Sequence, residues 1–283
     1  VESDPSHSPS ARVEAGSVVS LWRYPVKSMM GEELNAADLT ERGLVGDRQF
    51  AVVDLATGKI AGAKNPRKWG NFFDYRAAYV EPPREGSMLP AVRLTLPDGT
   101  SVVSDQPDLA QILSAALGRE VAFAQAQGSG DGSSATAEEY WPDMAGLEYR
   151  DTVTDWELPA GTFFDTAVVH MLTTATLDRM RDLYPDGRFE VRRFRPNIVV
   201  ASDGPGFVEN DWVGNTIAIG EQVRLRISGP CPRCVMTTLS QGDLPKDTGI
   251  LRTAAQHNQA NVGVYADVIA GGATRRGDPV TLA

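Results

Sequence analysis

Short runs of β-branched and aromatic residues, each closed by proline, glycine or an Asp-Gly pair, recur along most of this chain. That rhythm constrains the fold more than any other feature, because it leaves little uninterrupted length for helices. The run from Ser17 to Tyr24 stops at Pro25, and the runs at 49–54 and 59–63 flank the turn 56–58. Val92–Thr95 alternates, turns at Pro97-Asp98-Gly99 and returns through 100–103. One clear helix, from Leu109 to Leu117, follows Asp105 and ends at Gly118. In the second half, a helical face at Leu177, Met180, Leu183 and Tyr184 is followed by strand patterns at 197–201, 216–219, 222–227 and 262–269. Strands without regular intervening helices predict an α+β, β-rich barrel with peripheral helices, not a doubly wound parallel sheet.

Composition divides the chain further. Residues 1–16 are polar, carry two prolines and show no apolar stretch, and they read as a disordered tail outside the fold. The glycine- and serine-rich run after Gln125 predicts a flexible linker or lid over 125–148. It separates an N-terminal domain, 17–124, from a C-terminal domain, 149–283.

Lys and Arg number 27 against 37 Asp and Glu, a formal charge of −10. Such a balance argues against nucleic acid or an anionic membrane as the main partner. No apolar run is long enough to span a bilayer. Two cysteines cannot build a disulfide framework, so a reducing, cytoplasmic setting is expected.

Those cysteines lie in Gly229-Pro-Cys231-Pro-Arg233-Cys234. Three readings stay open on the residues alone. A redox dithiol needs a helix N-terminus at its first cysteine, whereas this pair follows a strand and precedes another strand-like run, 235–239. A zinc site would need two further ligands, and His170 and His257 have no finger-like spacing. Two small buried residues beside a turn is the third.

The pair keeps specific company. Tyr24-Pro-Val-Lys27-Ser28, Gly46-Asp47-Arg48, Phe164-Asp165-Thr166 and Phe194-Arg195-Pro-Asn197 precede it in that order. In this combination the chain resembles the MOSC-domain proteins that carry an N-terminal MOSC β-barrel domain. Among them it is most similar to the mitochondrial amidoxime-reducing components and their bacterial relatives. The resemblance implies a molybdenum cofactor, a metal held by a pterin dithiolene with a terminal phosphate. By motif match the metal ligand and catalytic centre is Cys234, with Cys231 beside it. The same match puts cofactor contacts on Lys27, Ser28, Arg48, Asp165, Thr166, Arg195, Asn197, Arg233 and Tyr265. Arginine forks suit phosphate oxygens, and a carboxylate suits a pterin amino group.

Val168 stands where relatives carry proline, and Pro232 replaces a small residue between the cysteines. The implied activity is reduction of N-hydroxylated compounds (amidoximes, hydroxylamines, N-hydroxy bases) by oxygen removal at molybdenum. The chain has no cysteine set for an iron–sulfur cluster and no dinucleotide fingerprint, so electrons are expected from a separate donor protein. The competing readings are a non-catalytic carrier of the cofactor or of sulfur on Cys234, a structural barrel, and a zinc protein using His257.

Overall fold

The computed structural model describes residues 13–126, 134–144 and 150–282. Its centre is a closed barrel of seven strands. Around the circumference run Val13–Arg23, Ile198–Ala201, Val169–Thr173, Asn261–Ala270, Val223–Pro232, Thr216–Ile219 and Pro279–Leu282, which pairs again with Val13–Arg23. All neighbours are antiparallel except Val169–Thr173 and Ile198–Ala201. A parallel pair needs a crossover, and the helices Thr174–Leu183 and Val191–Phe194 supply it.

Alternation fills the barrel. Val18, Leu21, Met171, Ile198, Val200, Ile217, Leu225, Ile227 and Val264 point inward and are each at most 1% exposed. The first strand closes the barrel by reaching both Pro279–Leu282 and Ile198–Ala201, with a register shift between Glu14 and Gly16. Gly16 is obligatory at that bend: its φ is +135°, and a Cβ there would lie 1.8 Å from the Ala201 carbonyl oxygen.

A second core lies outside the barrel. It gathers Val26, Met29, Phe50, Trp69, Phe72, Phe73, Tyr75 and Leu94 from the N-terminal half with Met236 and Leu239 from the C-terminal half. The segment that follows the cysteines is therefore clamped between the two halves.

Four expectations change. Residues 13–16 are not tail: they pair with Pro279–Leu282, because barrel closure needs a partner for that edge. The stretch 125–148 is not wholly linker, for Thr136–Trp141 is a strand antiparallel to Thr152–Glu157. Its glutamates disguise the alternation, and the glycine-rich residues 127–133 lie outside the described residues. The run Val235–Thr238 is a buried 3₁₀ turn, not a strand, with Cys234 at its N-cap. The expected cap of the helix Leu109–Leu117 moves from Asp105 to Asp108.

Candidate cofactor site

The ten residues assigned from the motifs converge. Lys27, Ser28, Arg48, Asp165, Thr166, Arg195, Asn197, Arg233, Cys234 and Tyr265 all line one cleft of about 680 Å³, counting the part open to solvent. Loops at the barrel's edge bring them there. Beyond Pro25 the chain leaves the first barrel strand, and the Lys27 N–H donates to the Phe50 carbonyl at 2.8 Å. Arg48 returns to the same place, its N–H donating to the Tyr24 carbonyl at 2.8 Å. Arg195 is the residue that ends the turn Val191–Phe194, and Tyr265 sits mid-strand in Asn261–Ala270. Ser28, Arg48 and Arg195 hold φ values of 65°, 48° and 55°, a left-handed backbone that side chains other than glycine rarely adopt.

Five cations, Lys27, Arg48, Lys64, Arg195 and Arg233, line this cleft against one carboxylate, Asp165. In a chain of net charge −10, that is a concentrated reversal of sign. Each cation is held by its surroundings. Lys27 pairs with Asp165 and donates to the Phe163 carbonyl at 2.8 Å. Arg195 donates to the Met29 carbonyl at 2.7 Å. The Tyr24 ring faces both Arg195, at 4.1 Å, and Arg48, at 4.8 Å. Arg48 pairs with Asp47, a fully buried carboxylate that also accepts from the Tyr24 N–H at 2.7 Å and the Asn197 amide at 2.9 Å.

Burial opposes so many charges, and the electrostatics show it. Burial lowers the Arg195 pKa to about 10 and depresses Lys27, in the second case against the pull of Asp165. Asp165 is also penalised by burial, but Lys27 and Lys64 outweigh that and keep its carboxyl well below the usual range. His170 is pushed down to about 3, first by burial and then by Arg233, so it is neutral. Its Nε2 lies 3.1 Å from the Val262 carbonyl oxygen. Gly263 makes room, since a Cβ at its φ of +83° would lie 2.3 Å from that nitrogen.

At the thiol end, Arg233 donates to the Cys231 sulfur at 2.7 Å and to the Phe194 carbonyl at 2.9 Å. Its Nε is buried without a partner. Cys231 is fully buried, whereas Cys234 is partly open to the cleft. Burial and then Glu139 raise the Cys234 thiol to about 11, while Lys64 and Arg233 oppose the rise.

Two motif residues differ in kind from the others. Asn197 spends its side chain on structure: its oxygen accepts from the His170 N–H, and its amide donates to the Trp22 carbonyl and Asp47. Tyr265 packs edge-on against the His170 ring, with centroids 6.1 Å apart, and burial and the neighbouring Cys231 raise its phenol well above the usual range. Lys64 and Met236, which no motif marks, also line the cleft, as do Phe164, quoted only as part of its motif, and His170, weighed only as a zinc ligand. Lys64 lies alone in Ala63-Lys64-Asn65, and no local pattern marks it.

The zinc reading finds no support: His257 lines a different cleft with Tyr184 and Asp247. Among the described residues no group of three or more His, Cys, Asp or Glu is placed to hold a metal ion. A single thiol within a cationic cleft, together with an orphaned guanidinium nitrogen, fits instead a large anionic ligand that carries its own metal.

A MOSC domain model matches residues 160–281, and a MOSC N-terminal beta barrel domain model matches residues 15–68. The chain carries a MOSC domain and a MOSC N-terminal beta barrel domain. Its MOSC barrel borrows one strand, Val13–Arg23, mostly from the N-terminal match. Mitochondrial amidoxime reducing component 2 of Rattus norvegicus is 25% identical over 260 residues, 84% of this chain and 69% of the relative. Mitochondrial amidoxime-reducing component 1 of Mus musculus is 24% identical over 254 residues, 84% and 68% of the two chains. Among solved structures, the YuaD protein of Bacillus subtilis aligns over 96% of both chains with a TM-score of 0.48 and 13% identity. YiiM of Geobacillus stearothermophilus aligns over 41% of this chain and 54% of its own, with a TM-score of 0.32 and 18% identity. The two domain matches and the amidoxime-reducing relatives support a molybdenum-cofactor-related function. No helix among the described residues is long and apolar enough to cross a membrane.

Proposed function

We propose that this MOSC protein is a molybdenum-cofactor-dependent reductase of N-hydroxylated compounds, served by a separate electron-donor protein. The observation that carries the reading is the meeting of five cations and one accessible thiol in a single cleft of an acidic chain. When bound, the cofactor supplies a metal centre able to take an oxygen atom and to pass two electrons.

The chain's own residues do the holding. Lys27, Ser28, Arg48, Arg195 and Arg233 would hold the pterin and its phosphate, and Asp165 and Thr166 would accept from the pterin's amino and ring N–H groups. Asn197 acts indirectly, by fixing Asp47 and hence the Arg48 guanidinium. Cys234 would be the metal ligand, and burial pushes its thiol up to about 11, so without the ligand it is held as the neutral thiol. The buried backbone strain at Ser28, Arg48 and Arg195 sets these groups in place before the ligand arrives. Overall, the N–O bond breaks, two electrons and two protons are consumed, and the oxygen leaves as water.

The reading is tested with protein made in cells that have an active cofactor pathway. Reduced methyl viologen should drive conversion of benzamidoxime to benzamidine, and Cys234→Ala should abolish it. Protein that holds full molybdenum yet reduces no amidoxime, hydroxylamine or N-hydroxy base would point to the carrier instead.

A further inference from the structure

A second cleft, of about 570 Å³ counting the part open to solvent, lies where the two halves of the chain meet. Met30, Phe73 and Pro97 of the N-terminal half give it apolar surface, and Gln241 and Gly242 enter it from the C-terminal half. It shares no lining residue with the cofactor cleft.

Gln241 is the anomaly here. Its backbone is fully used, the N–H and the carbonyl each bonding to Leu244 at 3.0 Å across a tight turn. Its side chain is 0% exposed, and among the described residues neither Nε2 nor Oε1 has a hydrogen-bond partner. Leaving a buried amide unpaired is costly, and folded proteins pair nearly all such groups. A carboxamide in the cleft would pair with both atoms at once, donating to Oε1 and accepting from Nε2.

The charged groups of the cleft stand nearer solvent. Asp74 and Arg76 are exposed, and among the described residues neither side chain has a polar partner. Arg192 gives its Nε to Glu190 at 3.0 Å and its Nη2 to Asp243 at 2.5 Å. Its Nη1 bonds to neither and lies beside Gly242, 3.7 Å from where a Cβ would stand. The cleft thus offers an amide at depth, the buried side chains of Met30 and Phe73, and at its mouth two guanidiniums beside one carboxylate. A phosphate or a plain dicarboxylate would meet Asp74 unfavourably, whereas a zwitterion suits both signs of charge.

We infer that this cleft is a second binding site, for an α-amino acid whose side chain ends in a carboxamide. Its amide meets Gln241, its methylenes lie against Met30 and Phe73, its carboxylate faces Arg76 and Arg192, and its ammonium faces Asp74. The inference does not depend on the reductase reading. Because the ligand touches both halves, it should stabilise their association by mass action.

Titration calorimetry and thermal denaturation of the full chain test this with L-glutamine and L-asparagine. One of them should bind at a single site and raise the melting temperature with concentration. L-Glutamate, which lacks the donor for Oε1, and butyramide, which lacks the charged head, should each bind about tenfold more weakly or worse, the scale of one well-formed hydrogen bond. Gln241→Met should weaken binding to the same degree while keeping or raising the melting temperature of the free protein, since it removes the unpaired amide. Asp74→Asn and Arg76→Gln, at exposed positions, should each weaken it severalfold. No saturable binding by tens of millimolar, equal binding of glutamine and glutamate, undiminished affinity in Gln241→Met, or tighter binding of inorganic phosphate than of either amide overturns the assignment.

Discussion

Three residues of the cleft, Ser28, Arg48 and Arg195, carry positive φ, and each such position costs about 1–3 kcal/mol. The strain persists because neighbours fix it: Arg195 is pinned by Met29 and Tyr24, Arg48 by Asp47. Ser28→Gly removes the penalty at one of them. Thermal denaturation of the metal-free variant should show a gain of about 1 kcal/mol, while cofactor retention falls with the lost hydroxyl. His170 makes a second prediction. Its pKa is lowered from 6.5 unfolded to about 3 folded, so between those values the unfolded chain binds more protons. Stability must therefore fall as pH drops through that window, by up to about 1.4 kcal/mol per pH unit. Denaturant midpoints measured from pH 7 to 4 should show the loss, and His170→Gln should flatten it. At this scale the sequence was legible where charges stand in an ordered series, as with Arg48, Arg195 and Arg233. Lys64 and the hub role of Asp47 were not, since each acquires its meaning only from partners far along the chain.

The elements that shape the site are those whose patterns were least readable. The Thr136–Trp141 strand hides its period behind two adjacent glutamates, one gripping Lys59, Asn65 and Lys68, the other Lys64. Glu138→Ala should release this grip at a cost of about 2 kcal/mol, the range of hydrogen bonds to charged groups. Amide exchange would report it as faster exchange at Tyr140 and Val153 than in the barrel strands. Val235–Thr238 misled in the opposite sense. Its β-branched residues suggest a strand, but burial against the N-terminal core favours a tight 3₁₀ turn that leaves Cys234 at the cleft. Five of the seven barrel strands carried readable strand patterns, whereas Val169–Thr173, buried along its whole length, shows no period of two.

On the scale of the whole molecule, the barrel is closed by a strand that lies nearly 150 residues before the next one. Composition could not reveal that pairing, since register is a property of the two edges and not of either strand. Val13–Arg23 also leads directly into Lys27 and Ser28, so closure and site assembly share one segment. A fragment beginning at residue 149 would leave both Ile198–Ala201 and Pro279–Leu282 with an open edge. It should be insoluble or unfolded by circular dichroism, and adding back a chain of residues 13–126 should restore the fold.

The cationic cleft and its thiol make the binding of a molybdenum–pterin ligand the central claim. The most direct measurement is the molybdenum and pterin content of protein purified from cells with an active cofactor pathway, wild type beside Cys234→Ala and Arg195→Gln. The account predicts near-equimolar metal and pterin in the wild type, loss of metal in Cys234→Ala, and loss of both when Arg195 no longer faces the phosphate. Wild-type protein free of pterin, or full molybdenum in Cys234→Ala, would contradict it.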